Sequence, residues 1–383
     1  MKFKPVFILC AILFAANIVH GQGIMVMKPY LQNPSPTGIT VMWRTAEPAY
    51  SWVEYGTDES NLKKAQDVYF GIVKANNTDN KIRIKGLEPG KKYVYRVCSQ
   101  EIVSFGAYKK EFGKINYSPF YSFTTLDTKG DSFTAVIFND LHSKLPTFDL
   151  LVDKLKGIDY DFVVFNGDCF HDPKSEENEL EILKHYSEKL DGAEKPLFYL
   201  RGNHETRGTY SRGWPSLFDW DGGNPYFAFS FGDTRFVLLD NGEDKKDNHI
   251  EYSGLADYAD FRLQETEWLK TEIASKEFKN AKRKILIHHM PIYSWENRYE
   301  PGFIACKDLW DPIFQKTPFA IGITGHLHRY NFYKKGDVGN PFPLVVGGGN
   351  NEKDATVMVL TKKGNNLTLK VIKAEGEPDT YNL

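Results

Sequence analysis

The chain is poor in cysteine, in excess charge of either sign and in long apolar runs, and each scarcity excludes something. Four cysteines occur in 383 residues. Cys10 lies inside an apolar N-terminal run, which leaves Cys98, Cys169 and Cys306 beyond it. Three thiols at irregular spacing form no disulfide framework; they leave room for one bridge, but buried free thiols are the expectation, and with none in a C-x-x-C pair a thiolate metal site is not expected. A formal net charge of -2 supplies no basic face for nucleic acid or an anionic membrane, so an anionic ligand must be met by local positive charge. After Val19 no segment is apolar enough to span a bilayer. There is no H-E-x-x-H helix, no G-x-S-x-G elbow and no G-x-x-x-x-G-K-[ST] loop. No internal repeat and no low-complexity tract is present.

What is there falls into three parts. Lys2 and Lys4, the apolar stretch Val6 to Val19 and the small-residue site Val19-His20-Gly21 read as an export signal over residues 1–21, hence a secreted or periplasmic protein. Residues 24–126 read as all-β. Gly38 to Trp43, Ser51 to Tyr55 and Lys92 to Val97 alternate with a strand period, and Gly86-Leu87-Glu88-Pro89-Gly90 is a turn. This part contains no histidine and no convergent titratable cluster, so a scaffold role is expected of it. Asp127 to Asp131 is a polar linker. From 131 to 383 short apolar strands alternate with helical stretches at Pro146 to Leu155, Glu179 to Leu190 and Asp260 to Ser275, the pattern of a layered α/β domain.

Five polar clusters each follow a run of β-formers. Asp140-Leu141-His142 follows Phe133 to Phe138, and Gly167-Asp168 follows Phe162 to Phe165. Arg201-Gly202-Asn203-His204-Glu205 follows Pro196 to Leu200, His288-His289-Met290-Pro291 follows Ile285 to Ile287, and Gly325-His326-Leu327-His328 follows Phe319 to Ile323. Asp140, His142, Asp168, Asn203, His289, His326 and His328 offer only oxygen and nitrogen, a set suited to Fe, Mn or Zn. Seven donors exceed one tetrahedral zinc but suffice for two ions bridged by a carboxylate. Asp168 is the natural bridge, because the glycine before it allows close approach of the backbone. Two such ions clamp the oxygens of an in-line displacement and activate water, which fits phosphoester hydrolysis better than peptide hydrolysis. His204 stands outside the donor set and is placed to stabilise phosphoryl oxygens or protonate the leaving group. Strand alternation lets only one of His288 and His289 face the ions.

In order, these blocks resemble the five signature blocks of calcineurin-like metallophosphoesterases, over residues 131 to about 350. The His289-x-Pro291-x-Tyr293 match favours His289. The N-terminal region resembles the fibronectin type III-like sandwich of the purple acid phosphatases, on the Gly86 to Gly90 turn and the Tyr93-x-Tyr95-x-Val97 strand. The resemblance implies a four-layer α/β/β/α metallophosphoesterase sandwich preceded by an all-β fibronectin-like sandwich. It implies Asp140, His142, Asp168 and His328 on one ion and Asp168, Asn203, His289 and His326 on the other. It also implies hydrolysis of phosphomonoesters, or of phosphodiesters at the same site, by hydroxide held on the metals. Purple acid phosphatases place a tyrosine three residues after the bridging aspartate and lack the first-block histidine; here those positions are His171 and His142, so a ferric-tyrosinate colour is not expected.

The expectation is therefore an exported, acid-phosphatase-like enzyme acting on a small-molecule phosphoester. A reading from another class is a surface binding module in which the β-sandwich acts and the metal site is vestigial. Residues His171, Arg207 and Tyr210 are candidate substrate contacts, with His171 alternatively supporting a ligand. Glu205 is either an orienting group or a helix-start acid. Asn241 to Tyr258 and Trp295 to Pro301, with Trp295, Arg298 and Tyr299, are candidate cleft loops.

Overall fold

The computed structural model describes residues 24–296 and 300–383. The signal-peptide reading of residues 1–21, and Arg298 and Tyr299, lie outside the described residues. Among the described residues no helix is long and apolar enough to cross a membrane.

The N-terminal part is organised by one long strand, Gly38–Gly56. The sequence suggests two strands there; the structure joins them, with a register break between Arg44 and Ala49. Its first half pairs with Tyr30–Ser35 and Asn77–Lys85, and its second half with Lys63–Ala65 and Lys92–Phe105. Period-two alternation then assigns each face. Ile39, Val41 and Trp43 turn inward with Leu31, Val53, Ile82, Tyr95 and Phe123 to form the core of this part. Met42, between them, turns outward and joins the core of the C-terminal part, together with Met27 and Tyr30.

The two parts are therefore docked through buried groups. Tyr30 donates to the Leu217 carbonyl at 2.8 Å, Gln32 Nε2 to the Leu197 carbonyl at 2.6 Å, and Tyr95 to the Ala193 carbonyl at 2.6 Å. Arg44 bridges Asp79 and Glu176 at 2.7 and 2.8 Å.

The C-terminal part holds two six-stranded sheets. In the first, Leu197–Leu200, Phe162–Asn166 and Ser132–Phe138 run parallel, and Thr356–Lys363, Asn366–Lys373 and Asp379–Asn382 continue antiparallel. In the second, Thr234–Leu239, Arg283–His288, Ile321–Thr324 and Leu344–Val346 are parallel, with Phe227–Phe231 and Asn331–Tyr333 antiparallel at the edges. Phe162 and Val164 face the second sheet, meeting Phe236, Ile285, Ile287 and Ile323. Val163 and Phe165 face outward, under Leu151 of helix Leu145–Lys154 and Leu183 and Tyr186 of helix Glu176–Lys189. On the far side, Leu269 of helix Tyr258–Ala274 and Trp310 and Phe314 of helix Pro301–Phe314 cover Val237, Leu286 and Leu344. The result is the expected α/β/β/α order. Strands buried on both faces explain why their sequences are continuous apolar runs.

Cys98, Cys169 and Cys306 are free and buried. The Gly232-Asp233 hairpin between Phe227–Phe231 and Thr234–Leu239, and helix Pro301–Phe314, are additional to the elements read from sequence.

Candidate metal centre

All five polar clusters fall beyond the carboxyl ends of parallel strands, three from one sheet and two from the other, where open α/β sheets collect ligands. To turn side chains back over the strand ends the backbone takes an unusual course. Asp140, His142, Asp168, Asp172, His326 and His328 all have positive φ, between 45° and 71°. Left-handed backbone at non-glycine residues costs about 1 kcal/mol or more each and persists only where its surroundings enforce it. Gly167, with φ of +77°, lies against the His289 ring, and a Cβ there would overlap it. A Cβ on Gly202 would strike Asp168 Oδ1, and one on Gly325 would strike Asp140 Oδ2.

Two groups of donor atoms result, sharing Asp168. In Asp140, His142, Asp168 and His328, and again in Asp168, His289 and His326, ligand atoms lie within 4.8 Å of one another. His142 Nε2 and His328 Nε2 approach to 2.9 Å, and both face Asp140 Oδ1, at 4.0 and 3.4 Å. Asp168 Oδ2 lies 3.7 Å from His142 Nε2 and 3.0 Å from His289 Nε2. Asn203 Oδ1 lies 2.9 Å from His326 Nδ1. His289 Nδ1 sits 2.9 Å from the Asn166 carbonyl, so that nitrogen carries a proton and Nε2 is the one turned to the carboxylates.

The donor set fits a pair of cations. Asp140 Oδ1 and His289 Nε2 are buried without a hydrogen-bond partner, although both lie among other donors of the cluster. Unpaired buried polar atoms are costly, and a cation coordinated by them removes the cost. The electrostatics agree. Burial opposes the charge on Asp168, but His289, His204 and His142 outweigh it and hold its carboxyl well below the usual range. Burial also works against a charged His289, yet Asp168 and Asp140 push its pKa up to about 10. Burial brings His142 down to about 4, leaving a neutral imidazole with a lone pair to give. The two buried carboxylates thus demand positive charge, and the neutral imidazole of His142 has a lone pair to give.

Around this cluster stand groups that the sequence did not single out. Asn139 Nδ2 donates to Asp140 Oδ2 at 2.6 Å and to the Gly348 carbonyl at 3.0 Å. Asp172 Oδ1 lies 2.8 Å from His204 Nδ1. Glu300 Oε2 lies 3.4 Å from His326 Nε2. Only the adjacency of Asn139 to Asp140 and of Asp172 to His171 could have hinted at the first two. Glu205 resolves in favour of orientation: buried, it accepts from the backbone N–H of Asp168, Phe170 and Gly202 at 2.8 to 2.9 Å. Burial and then Asp168 push its pKa up to about 8.

Of the remaining candidates, His204 and His171 stand against the cluster and the others lie away from it. His204 edges against His142 with ring centroids 4.6 Å apart, and its backbone N–H donates to Asp168 Oδ1 at 2.8 Å. His171 Nδ1 is 3.0 Å from His142 Nδ1, on the side of that ring away from the carboxylates. Arg207, a candidate substrate contact, donates from Nε and Nη2 to Glu243 at 2.8 and 2.9 Å and from Nη2 to Asp244 at 3.0 Å. The hydroxyl of Tyr210, another candidate contact, meets Glu176 at 3.3 Å, beside the seam with the N-terminal part. His288 bonds the Met290 carbonyl at 2.8 Å and packs against Trp310 and Phe314, outside the cluster. Trp295 is largely exposed.

With this geometry the chain belongs to the calcineurin-like phosphoesterase family, whose model matches residues 133–330. The purple acid phosphatase N-terminal domain matches residues 27–125. Purple acid phosphatase 18 of Arabidopsis thaliana is 21% identical over 175 residues, 42% of this chain and 37% of that protein, so the match spans little more than a third of the relative's length. The purple acid phosphatase PPD1 from seeds of yellow lupin (Lupinus luteus) superposes with a TM-score of 0.67 at 18% identity, covering 92% of this chain and 73% of that one. A structure of PhoD superposes with a TM-score of 0.63 at 12% identity, over 94% and 90% of the two chains. At these identities the likeness to solved structures is one of fold.

Proposed function

We propose that this chain is a two-metal phosphoesterase acting chiefly on phosphomonoesters, with Asp140, His142, Asp168 and His328 holding one ion and Asp168, Asn203, His289 and His326 the other. The observation that carries the reading is Asp168, a buried carboxylate set between two groups of imidazoles whose ring nitrogens gather around it. When bound, such a pair of ions supplies Lewis-acid charge for the phosphoryl oxygens and an activated water. Iron, manganese and zinc all suit the donors.

The chain's own residues orient the rest. Asp172 fixes the His204 ring through Nδ1, which leaves Nε2 to hold a phosphoryl oxygen or pass a proton to the departing alkoxide. Two contacts hold His204 to Asp168 and Asp172, elements of one loop, so it moves with the bridging carboxylate. We assign His171 to a supporting role. A His142 that coordinates through Nε2 keeps its proton on Nδ1, and His171 Nδ1 is the acceptor 3.0 Å away. An imidazole one step removed from the ions thus stands where purple acid phosphatases carry a coordinating tyrosine, so no tyrosinate colour is expected. Residues 131–383 form the catalytic domain and 24–126 its scaffold; residues 1–21 direct export. The intact donor set speaks against a binding module with a vestigial site.

Elemental analysis together with turnover of p-nitrophenyl phosphate and bis-p-nitrophenyl phosphate tests the proposal. The expected result is about two ions per chain, faster monoester hydrolysis, and loss of both bound metal and turnover in Asp168→Ala and Asn203→Ala. Faster turnover of the diester would reverse the assigned preference. A parent protein that binds iron, manganese and zinc yet hydrolyses neither compound would sink it.

A further inference from the structure

Beside the cluster lies a cavity of about 600 Å³. His328 belongs to both: its Nε2 is 3.4 Å from Asp140 Oδ1, yet 42% of its side chain is exposed, and it forms part of the cavity wall. A phosphoester engaged at the cluster therefore has open space beyond His328. The volume is within the range of small-molecule sites.

The charges in that space are uneven. Arg329, Lys353 and Lys373 line it against Glu296 and Asp354, one positive charge in excess. Arg329 is paired with Glu296 at 3.3 Å, and Lys373 reaches out to Asp379 at 3.0 Å. Asp354 is engaged by the Asn351 amide at 2.7 Å. Lys353 makes no ion pair among the described residues, although its backbone is anchored where its N–H donates to Asn351 Oδ1 at 3.0 Å. An ammonium with no carboxylate partner, on a fixed turn beside a site that attracts phosphate, is suited to a second anion. Tyr330 adds an aromatic wall, with Lys373 Nζ 5.5 Å from its ring centroid.

We propose that this cavity is a leaving-group subsite that selects phosphoesters bearing a second anionic group, a carboxylate or a further phosphate, with Lys353 as the specificity-determining residue. The inference rests on the phosphoesterase reading and adds the substrate class to it. Phenyl phosphate, para-carboxyphenyl phosphate and para-phenylene bisphosphate share a ring and differ in the group presented to the cavity, and the two charged esters distinguish carboxylate from phosphate as the second anion. The quantity read is the ratio of kcat/KM for each charged ester to that for phenyl phosphate. Ring electronics are common to all variants, so a change in the ratio on mutation reports the cavity.

The ratio is expected to fall about tenfold in Lys353→Gln, as loss of a charge-assisted hydrogen bond predicts, and further in Lys353→Glu. It should also fall with added salt in the parent and not in Lys353→Gln. Ratios equal in the parent and both variants would overturn the subsite while leaving the phosphoesterase reading intact. A metal-loaded parent that fails to hydrolyse phenyl phosphate as well as both charged esters would overturn the two together. Lys353 is exposed, so its replacement is not expected to prevent folding; an unchanged unfolding midpoint verifies this.

Discussion

His142 and His171 show how a single atom's protonation ties the outer residues to the metal centre. His142 faces the carboxylates through Nε2 and His171 through Nδ1. Replacing His171 by alanine should strip the acceptor and weaken metal retention by about 10- to 100-fold, the usual cost of losing a group that orients a ligand. Asparagine, whose side-chain oxygen can accept the same proton, should restore most of it. Chelator competition on the two variants measures this directly. Equal retention in alanine variant and parent would leave His171 as a bystander. The contrast between His288 and His289 belongs at this scale too. Alternation dictates that one faces inward, but not which. That is settled by Leu286, which packs with Trp310 and Phe314 in the outer layer and carries His288 to the same side.

At the scale of elements, the strand ends and the glycines among them decide the geometry. Gly202 lies so close to Asp168 that any side chain there must displace the carboxylate. Gly202→Ala should therefore lower metal content and activity well before it unfolds the protein, because the clash is with a ligand rather than with the core. Metal content beside the unfolding midpoint separates the two effects; normal metal content in this variant would contradict the picture. The strands themselves were legible from sequence because burial on both faces makes them continuous apolar runs, each stopped by a polar cluster. Helix Pro301–Phe314 was not, since it directly follows an irregular stretch rich in aromatic and charged residues that masks its start. The continuity of Gly38–Gly56 was hidden for another reason: Thr45 to Pro48 interrupts the alternation in sequence, while in space the chain continues as one strand.

Across the whole molecule, the N-terminal part and the catalytic layers share buried surface. Tyr30 is fully buried, and burial, with Asp79 next, keeps its hydroxyl protonated well above the ordinary tyrosine range, as its bond to the Leu217 carbonyl requires. Tyr30→Phe and Gln32→Ala should each lower stability by about 0.5–3 kcal/mol, the higher value applying where the carbonyl is left buried and unpaired. Denaturant unfolding followed by fluorescence measures this. Because Met27, Tyr30 and Met42 enter the core beneath Tyr186 and Trp214, both parts should unfold in one transition. Two separated transitions would show instead that the seam is weak.

The sequence alone determined the α/β layering, the all-β N-terminal part and the polar clusters that end the strands, because runs buried on both faces and polar groups at their ends are local patterns. Tertiary structure alone decided that Arg207 and Tyr210 meet Glu243 and Glu176, that Glu205 braces the Asp168 loop and that Lys353 lines one cavity with His328. Such pairings join residues about two to three dozen positions apart or turn on side-chain direction, and neither property leaves a trace in the spacing of residues along a chain.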